Sequence, residues 1–375
     1  MDKGCRQVVV ALGSNQGDRL TLMLKALRLL VQNFEGYFAL SSLYETPAWG
    51  FESAPFYNAC VGIESHASPH EVFEKLVQIE QHLGRNRSSS KTYEARTMDL
   101  DVLFYDDLVF EDTVLTLPHP QIEKRNFVLY PMAEIASDYV HPRSGKNMQQ
   151  LRDSSADAST VHQLPFSHWT SSLFDRYPFI AIEGNIGAGK TTLAQLLAKR
   201  YQVPILLESF LENPYLEKFY EDAQTYAVAV ETFFLKDRII QGQDFSKTQP
   251  EGKGVSDYTL YKSAVFAQQN LKGGAMDSFM EAYQKGIATY KHPDLLLFLE
   301  APTTVLLDRI AHRARTAEKN IEADYLDRIA QQYETFLAAP QHFPVVRCDT
   351  TNSDFEKDPK ALDQLLMRVI LTLNT

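Results

Sequence analysis

The chain has 375 residues, 44% hydrophobic and 23% charged, with a formal net charge of −11. That length fits two domains, each large enough to bury its own core. The negative balance excludes general affinity for nucleic acid or anionic lipid, while leaving room for a local basic pocket. The three cysteines, Cys5, Cys60 and Cys348, lie far apart with no C-x-x-C. A disulfide framework or zinc site is therefore not expected, and a reducing, cytoplasmic setting is. No run reaches about 18 apolar residues and the opening MDKGCRQVVVALGSN lacks a long apolar core, so neither a membrane span nor export is expected.

In chain order, Gln7–Leu12 reads as a strand ending in Gly-Ser-Asn, and Leu20–Val31 carries leucine and alanine at helical spacing. Tyr37–Tyr44 and Phe56–Ile63 read as strands. Glu71–Leu83 places Val72, Phe73, Leu76, Ile79 and Leu83 on one helical face, with Gly84 positioned as a left-handed cap. Leu100–Tyr105 is the next strand. The β-α-β-β-α-β rhythm predicts a ferredoxin-like α+β domain over residues 1–155. The Ser-, Asp-, Ala- and Thr-rich stretch from Arg152 to Asp175 has no apolar period, which places a linker at 156–175. Beyond it, Phe179–Glu183, Ile205–Glu208, Gly254–Asp257, Leu295–Glu300 and Val345–Cys348 are short and nearly all apolar. Helical patterns such as Thr192–Arg200 and Val305–Ala314 separate them. Residues 176–375 are thus expected to form an α/β domain with a parallel five-stranded sheet covered on both faces.

The strongest single motif is Gly184-Asn185-Ile186-Gly187-Ala188-Gly189-Lys190-Thr191, which fits G-x-x-x-x-G-K-[ST] between a strand and a helix. Its glycines let backbone N–H groups curl around phosphate, Lys190 reaches the β- and γ-phosphates, and Thr191 can ligate Mg²⁺. Glu208 ends the second strand at the carboxyl edge, where ligands sit. Arg309, Arg313 and Arg315, followed by Glu318, recur on a helical stretch. In the first half, Asp99-Leu100-Asp101 sends two carboxylates to one face of a strand, a donor set for Mg²⁺ bridging ATP phosphates. Arg85, Arg87, Arg96 and Arg125 surround it in sequence. Singly, each of these also fits a solvated strand end or an exposed basic face.

Two resemblances join these pieces. The blocks ALGSNQGD, SSLYETPAWG, FYNACV, LGRNR, YEARTMDLDVLFYDD and PHP…RNFVLYPMAEI resemble the 6-hydroxymethyl-7,8-dihydropterin pyrophosphokinase family over about Gln7–Leu151. That resemblance implies transfer of pyrophosphate from ATP to the pterin hydroxymethyl group, with AMP released. Asp99 and Asp101 would hold two Mg²⁺ ions, and Arg85 and Arg87 would belong to a closing loop. Arg96, His119 and Arg125 would contact ATP, and Glu80 would contact the base or orient the ATP site. Thr46 and Asn58 would bond the pterin edge, with Phe127 stacked on its ring.

GNIGAGKT, LLES, ETFFLKDR and RARTAEKNIEADYL resemble the deoxynucleoside kinase family over about Tyr177–Thr375. This implies a P-loop kinase domain that binds ATP through Gly184, Asn185, Gly187, Gly189, Lys190 and Thr191 and phosphorylates the 5′-hydroxyl. Glu208 would be the general base, Arg313 and Arg315 lid arginines, and Glu318 a companion acid near the sugar. Glu231 and Arg238 would meet the base, and Asp257 would serve Mg²⁺. A homodimer is implied by the resemblance only. Glu231 stands where the family often has glutamine, and Ser256-Asp257-Tyr258 replaces a strand end of Glu-Arg-Ser or Asp-Arg type. The latter favours a purine deoxynucleoside. The other readings for this half are a thymidylate-kinase-like nucleotide monophosphate kinase, which would want an Asp-Arg-Tyr motif absent here, and a nucleotide sensor without catalysis.

Overall fold

The apolar run after Arg6 forms a long strand, β1 (Arg6–Ser14), in a computed structural model that describes residues 4–85, 95–249, 251–315, 318–319, 321–355 and 357–373. Asp18 caps α1 (Arg19–Asn33) by accepting from the Thr21 amide. The chain then runs through β2 (Tyr37–Leu40), β3 (Tyr44–Thr46) and β4 (Phe56–Ser65) to α2 (Pro69–His82). A Ser68–Glu71 capping box with Pro69 in the first turn starts this helix. Gly84, at φ +86°, follows its end. β5 (Asp99–Tyr105) completes the pattern. Pairing is antiparallel throughout, in the order β5-β1-β4, with β2 and β3 both on the far edge of β4.

The single strand expected over Tyr37–Tyr44 is two strands. Ser42 breaks it: its amide turns to the Glu134 carboxylate at 2.9 Å instead of continuing the ladder. A small hairpin of β6 (Phe110–Glu111) and β7 (Thr116–Leu117) follows β5. α3 (Asn126–Ala136) and α4 (Met148–Asp153) bury Val128, Leu129, Met132, Met148 and Leu151 against Val9, Cys60 and Leu103 of the sheet.

Contacts divide the chain into two units between Thr170 and Ser171. Most of the stretch expected as a linker is built into the first. Asp157 accepts the Asn126 amide at 2.8 Å, and β8 (His162–Gln163) extends the sheet beside β3. Trp169, fully buried, donates its indole N–H to the Ser41 carbonyl at 3.0 Å. A polar composition hides this docking because one tryptophan and a few backbone bonds carry it.

The second unit opens with α5 (Leu173–Arg176) and then β9 (Phe179–Gly184), α6 (Lys190–Tyr201), β10 (Ile205–Leu206), α7 (Leu216–Glu221), α8 (Ala223–Thr248) and β11 (Gly254–Ser256). α9 (Tyr261–Asn270), α10 (Gly273–Ile287), β12 (Leu295–Glu300), α11 (Thr303–Arg313), α12 (Ala323–Ala338), β13 (Val345–Asp349) and α13 (Pro359–Thr372) complete it. The expected parallel five-stranded sheet is present, in the order β10-β11-β9-β12-β13. α8, at 26 residues, has no clean apolar face, because its buried positions include Glu231 and Arg238 beside Ala227, Val230, Phe234 and Leu235. Among the described residues no helix is long and apolar enough to cross a membrane.

Candidate active sites

Strand register assembles the first site. Gly13 of β1 faces Asn58 of β4 and Asp99 of β5, and Ala11 faces Cys60 and Asp101. Alternation raises Asp99 and Asp101 on one side of β5 and buries Leu100 on the other. At Gly13 an added Cβ would lie in contact with the Asn58 amide oxygen, at 3.4 Å. A cavity of about 910 Å³, counting its mouth, opens there; Thr46, Asn58, Arg96, Asp99, Asp101, His119, Arg125 and Phe127 all line it.

The charges are arranged around Asp99. Arg85, just after Gly84, donates to both Glu80 and Asp99, and Arg96 donates to the other Asp99 oxygen. Glu80 is buried beneath the acid pair and accepts the Leu100 amide at 2.9 Å, so it fixes β5 and Arg85 from below rather than lining the cavity. Burial and the Asp99 charge push Asp101 up to about 7. Burial and the Arg125 charge push His119 down to about 4, so its imidazole is neutral near pH 7. Its Nδ1 accepts from the Gln121 amide at 3.3 Å, which leaves Nε2 as the N–H donor. Asn58 donates to the Thr46 hydroxyl at 2.9 Å. The Arg125 guanidinium lies over Trp49 and Phe127, 5.1 and 5.5 Å from the ring centroids. Arg87 lies outside the described residues.

The second site forms at the carboxyl ends of the parallel strands. Gly184, Gly187 and Gly189 take φ of +144°, +81° and +94°. A Cβ at Gly184 would fall 2.5 Å from the Leu299 carbonyl, so only glycine lets the loop leave β9 there. Asn185 donates to the Leu326 carbonyl at 2.8 Å, fastening the loop to α12. The Lys190 ammonium donates to the Gly184 and Asn185 carbonyls at 2.9 and 2.8 Å. Burial and the nearby Lys262 charge lower it to about 8. Thr191 donates to one Asp257 oxygen at 2.6 Å, and the other accepts the Glu208 amide at 2.8 Å.

Glu208 accepts from Arg238 at 2.9 and 2.6 Å and from Lys262 at 2.6 Å. Burial favours its neutral acid, yet Lys262 and Arg238 outweigh that and hold it well below the usual carboxylate range. Arg313 donates to Glu318, with Arg315 at 3.5 Å from the same carboxylate and 3.8 Å above the Phe210 ring. Lys190, Thr191, Glu208, Glu231, Arg238, Asp257, Arg313, Arg315 and Glu318 share one cavity of about 750 Å³, counting its mouth.

Comparison with known proteins assigns both halves. The family model "Deoxynucleoside kinase" matches residues 180–373, and "7,8-dihydro-6-hydroxymethylpterin-pyrophosphokinase (HPPK)" matches residues 9–137. Deoxyguanosine kinase of Bacillus subtilis is 33% identical over 201 residues, 51% of this chain and 96% of that protein. The 2-amino-4-hydroxy-6-hydroxymethyldihydropteridine pyrophosphokinases of Synechocystis and Aquifex aeolicus are 42% and 35% identical, each covering 39% of this chain and 75% and 89% of their own lengths. The chain belongs to both families, one in each half.

In the deoxynucleoside kinase half, sequence reasoning missed Lys262. Its signal was a lone lysine inside the apolar helix TLYKSAVFA, one turn beyond Asp257. It also missed Glu183, fully buried at the end of β9, which accepts from Thr259 at 2.7 Å and from the Tyr333 hydroxyl at 2.8 Å. Arg238 spends its bonds on Glu208 and on the Ser263 hydroxyl, at 2.6 Å. Arg309 donates to the Thr350 and Ser353 carbonyls beyond β13, away from the cavity-lining arginines. In the pyrophosphokinase half, Trp49, Phe51 and Phe56 line the cavity without having been singled out.

Proposed function

We propose that the chain carries two ATP-dependent transferases. The first unit, which we read as ferredoxin-like from its β5-β1-β4-β2/β3 strand order, transfers pyrophosphate to 6-hydroxymethyl-7,8-dihydropterin and releases AMP. The second transfers the γ-phosphate to the 5′-hydroxyl of a purine deoxynucleoside and releases ADP. The observation that carries this reading is that each unit holds its own cavity with its own phosphate-handling groups.

In the first site the acceptor hydroxyl attacks the β-phosphorus. Asp99 and Asp101 are hard oxygen donors on one wall, and among the described residues no third acid, His or Cys completes a metal cluster with them. As hard oxygen donors they would hold Mg²⁺, which would supply charge neutralisation for the polyphosphate. Arg85, Arg96 and Arg125 neutralise the polyphosphate, and neutral His119 donates from Nε2. Thr46 and Asn58 present polar groups to the pterin edge, while Phe127 and Trp49 offer ring faces.

In the second site the backbone of Gly184–Gly189 cradles phosphate, Lys190 bridges β and γ, and Thr191 with Asp257 would hold Mg²⁺. Glu208 accepts the hydroxyl proton, oriented by Arg238 and Lys262. Arg313 and Arg315 close on the transferring group, with Glu318 beside the sugar. The wall formed by Glu231, Tyr220, Phe234 and Tyr325 suits a base and not a second phosphate, which speaks against a monophosphate acceptor. A sensor would not need Glu208 held by two cations. A cytoplasmic homodimer acting on small molecules, without nucleic acid or membrane partners, belongs to the same proposal.

The test supplies ATP with each acceptor and identifies the nucleotide released. Asp99→Asn should abolish AMP formation alone and Lys190→Ala should abolish ADP formation alone. Loss of both activities in either variant would refute two independent sites.

A further inference from the structure

Four acids line the cavity of the second unit, and their oxygens are not equally occupied. Both oxygens of Glu208, of Asp257 and of Glu318 have partners. Glu231 differs. One of its oxygens accepts the Asn270 amide at 2.7 Å, while Oε2 is buried with no hydrogen-bond partner among the described residues. The residue is 2% exposed, yet it lines the cavity beside Tyr220, Phe234 and Tyr325. A buried carboxylate oxygen left without a donor is a demand for one.

Resting on the deoxynucleoside kinase reading of this half, in which Glu231 already meets the base, we propose that its ionised carboxylate selects guanine. Guanine presents two adjacent donors on one edge, N1–H and the 2-amino group, which match a carboxylate that only accepts. Adenine and cytosine each pair an amino donor with a ring-nitrogen acceptor, a pattern that meets a neutral acid or an amide instead. Thymine offers a single N–H between two carbonyl oxygens.

The surroundings keep both protonation states in reach. Burial raises Glu231 to about 7, against the Asn270 hydrogen bond and the charges of Arg238 on its own helix and Lys262 on α9. Glu208 raises it further, and the Tyr220 and Tyr325 hydroxyls of α7 and α12 face the same carboxylate. Base choice in this pocket is therefore coupled to pH: guanine binding favours loss of the proton and adenine binding favours its retention.

The experiment uses the full chain and measures kcat/KM for deoxyguanosine and deoxyadenosine at about pH 6 and pH 8, in wild type, Glu231→Gln and Glu231→Asp. In wild type the guanosine-to-adenosine ratio should rise at least about tenfold between the two pH values, as expected for a group titrating near the midpoint. Glu231→Gln, of the same size but uncharged, should lower the ratio at pH 8 at least about tenfold, the loss of a hydrogen bond to a charged group, and make it independent of pH. Glu231→Asp keeps the charge and should keep the pH response. A ratio in Glu231→Gln close to that of wild type, or a wild-type ratio that does not move with pH, overturns the assignment while leaving the kinase reading intact. Absence of ADP formation with every deoxynucleoside overturns the kinase reading and this one with it.

Discussion

Glu231→Gln also changes how the kinase unit responds to pH as a folded object. The glutamate is 2% exposed and shifts from an ordinary 4.5 to about 7, principally by burial. A carboxyl whose folded value lies above its unfolded one contributes nothing unfavourable below about pH 4.5. It then costs stability progressively as pH rises, until the loss is complete just above pH 7. At 1.36 kcal/mol per pH unit this amounts to about 3 kcal/mol as an upper figure. Glutamine occupies the same volume and never ionises. The variant should therefore match wild type near pH 4 and exceed it by up to about 3 kcal/mol near pH 8, roughly 6–12 °C for a unit of this size. Thermal unfolding of the full chain at both pH values, followed at the transition that abolishes ADP formation, reads this directly. A variant equally or less stable at pH 8 would refute the claim that Glu231 is buried at a cost.

Lys262→Met keeps the apolar stem but removes one of the charge-assisted bonds that orient Glu208. At about 1.5–3 kcal/mol, that loss should lower kcat for ADP formation by roughly 10- to 100-fold, and Lys262→Arg should restore most of it; an unchanged kcat would mean that Arg238 alone positions the carboxylate. Gly187→Ala would bring a Cβ within 2.8 Å of the Leu306 carbonyl at φ +81°. The strain, about 2–5 kcal/mol, should abolish nucleotide binding at the second site while AMP formation at the first persists, as titration calorimetry and product analysis would show. Trp169→Ala should destabilise the first unit by about 3–5 kcal/mol, so that AMP formation is lost on mild warming and ADP formation is not. Equal heat sensitivity of the two activities would contradict its place in the first unit.

How much could be read beforehand depended on how local each signal is. The phosphate loop was legible because its glycines, Lys190 and Thr191 are consecutive. The Asp99–Asp101 wall was legible because strand alternation is strictly local, and both acids stand on one side with Leu100 buried. Lys262 left only a faint trace, a lone lysine in an apolar stretch, since its importance arises only when α9 brings it to Glu208, 54 positions earlier. Arg238 was placed at the base by resemblance, whereas the fold commits it to Glu208 and Ser263. The Trp169 segment read as a linker because composition cannot show that an indole finds a carbonyl at Ser41, 128 residues away. Glu183 was not singled out, because its partners, Thr259 and Tyr333, come from two later connections.

In the proposed transfer, the grip of Arg238 and Lys262 on Glu208 also sets the order of events. A carboxylate so well satisfied has little thirst for protons, so it cannot strip the sugar alcohol before the reaction begins. It can hold that alcohol by its hydrogen and aim the oxygen lone pair at phosphorus. Only when the new bond is well advanced does the oxygen become acidic enough to give its proton up, and the carboxylate then receives it late.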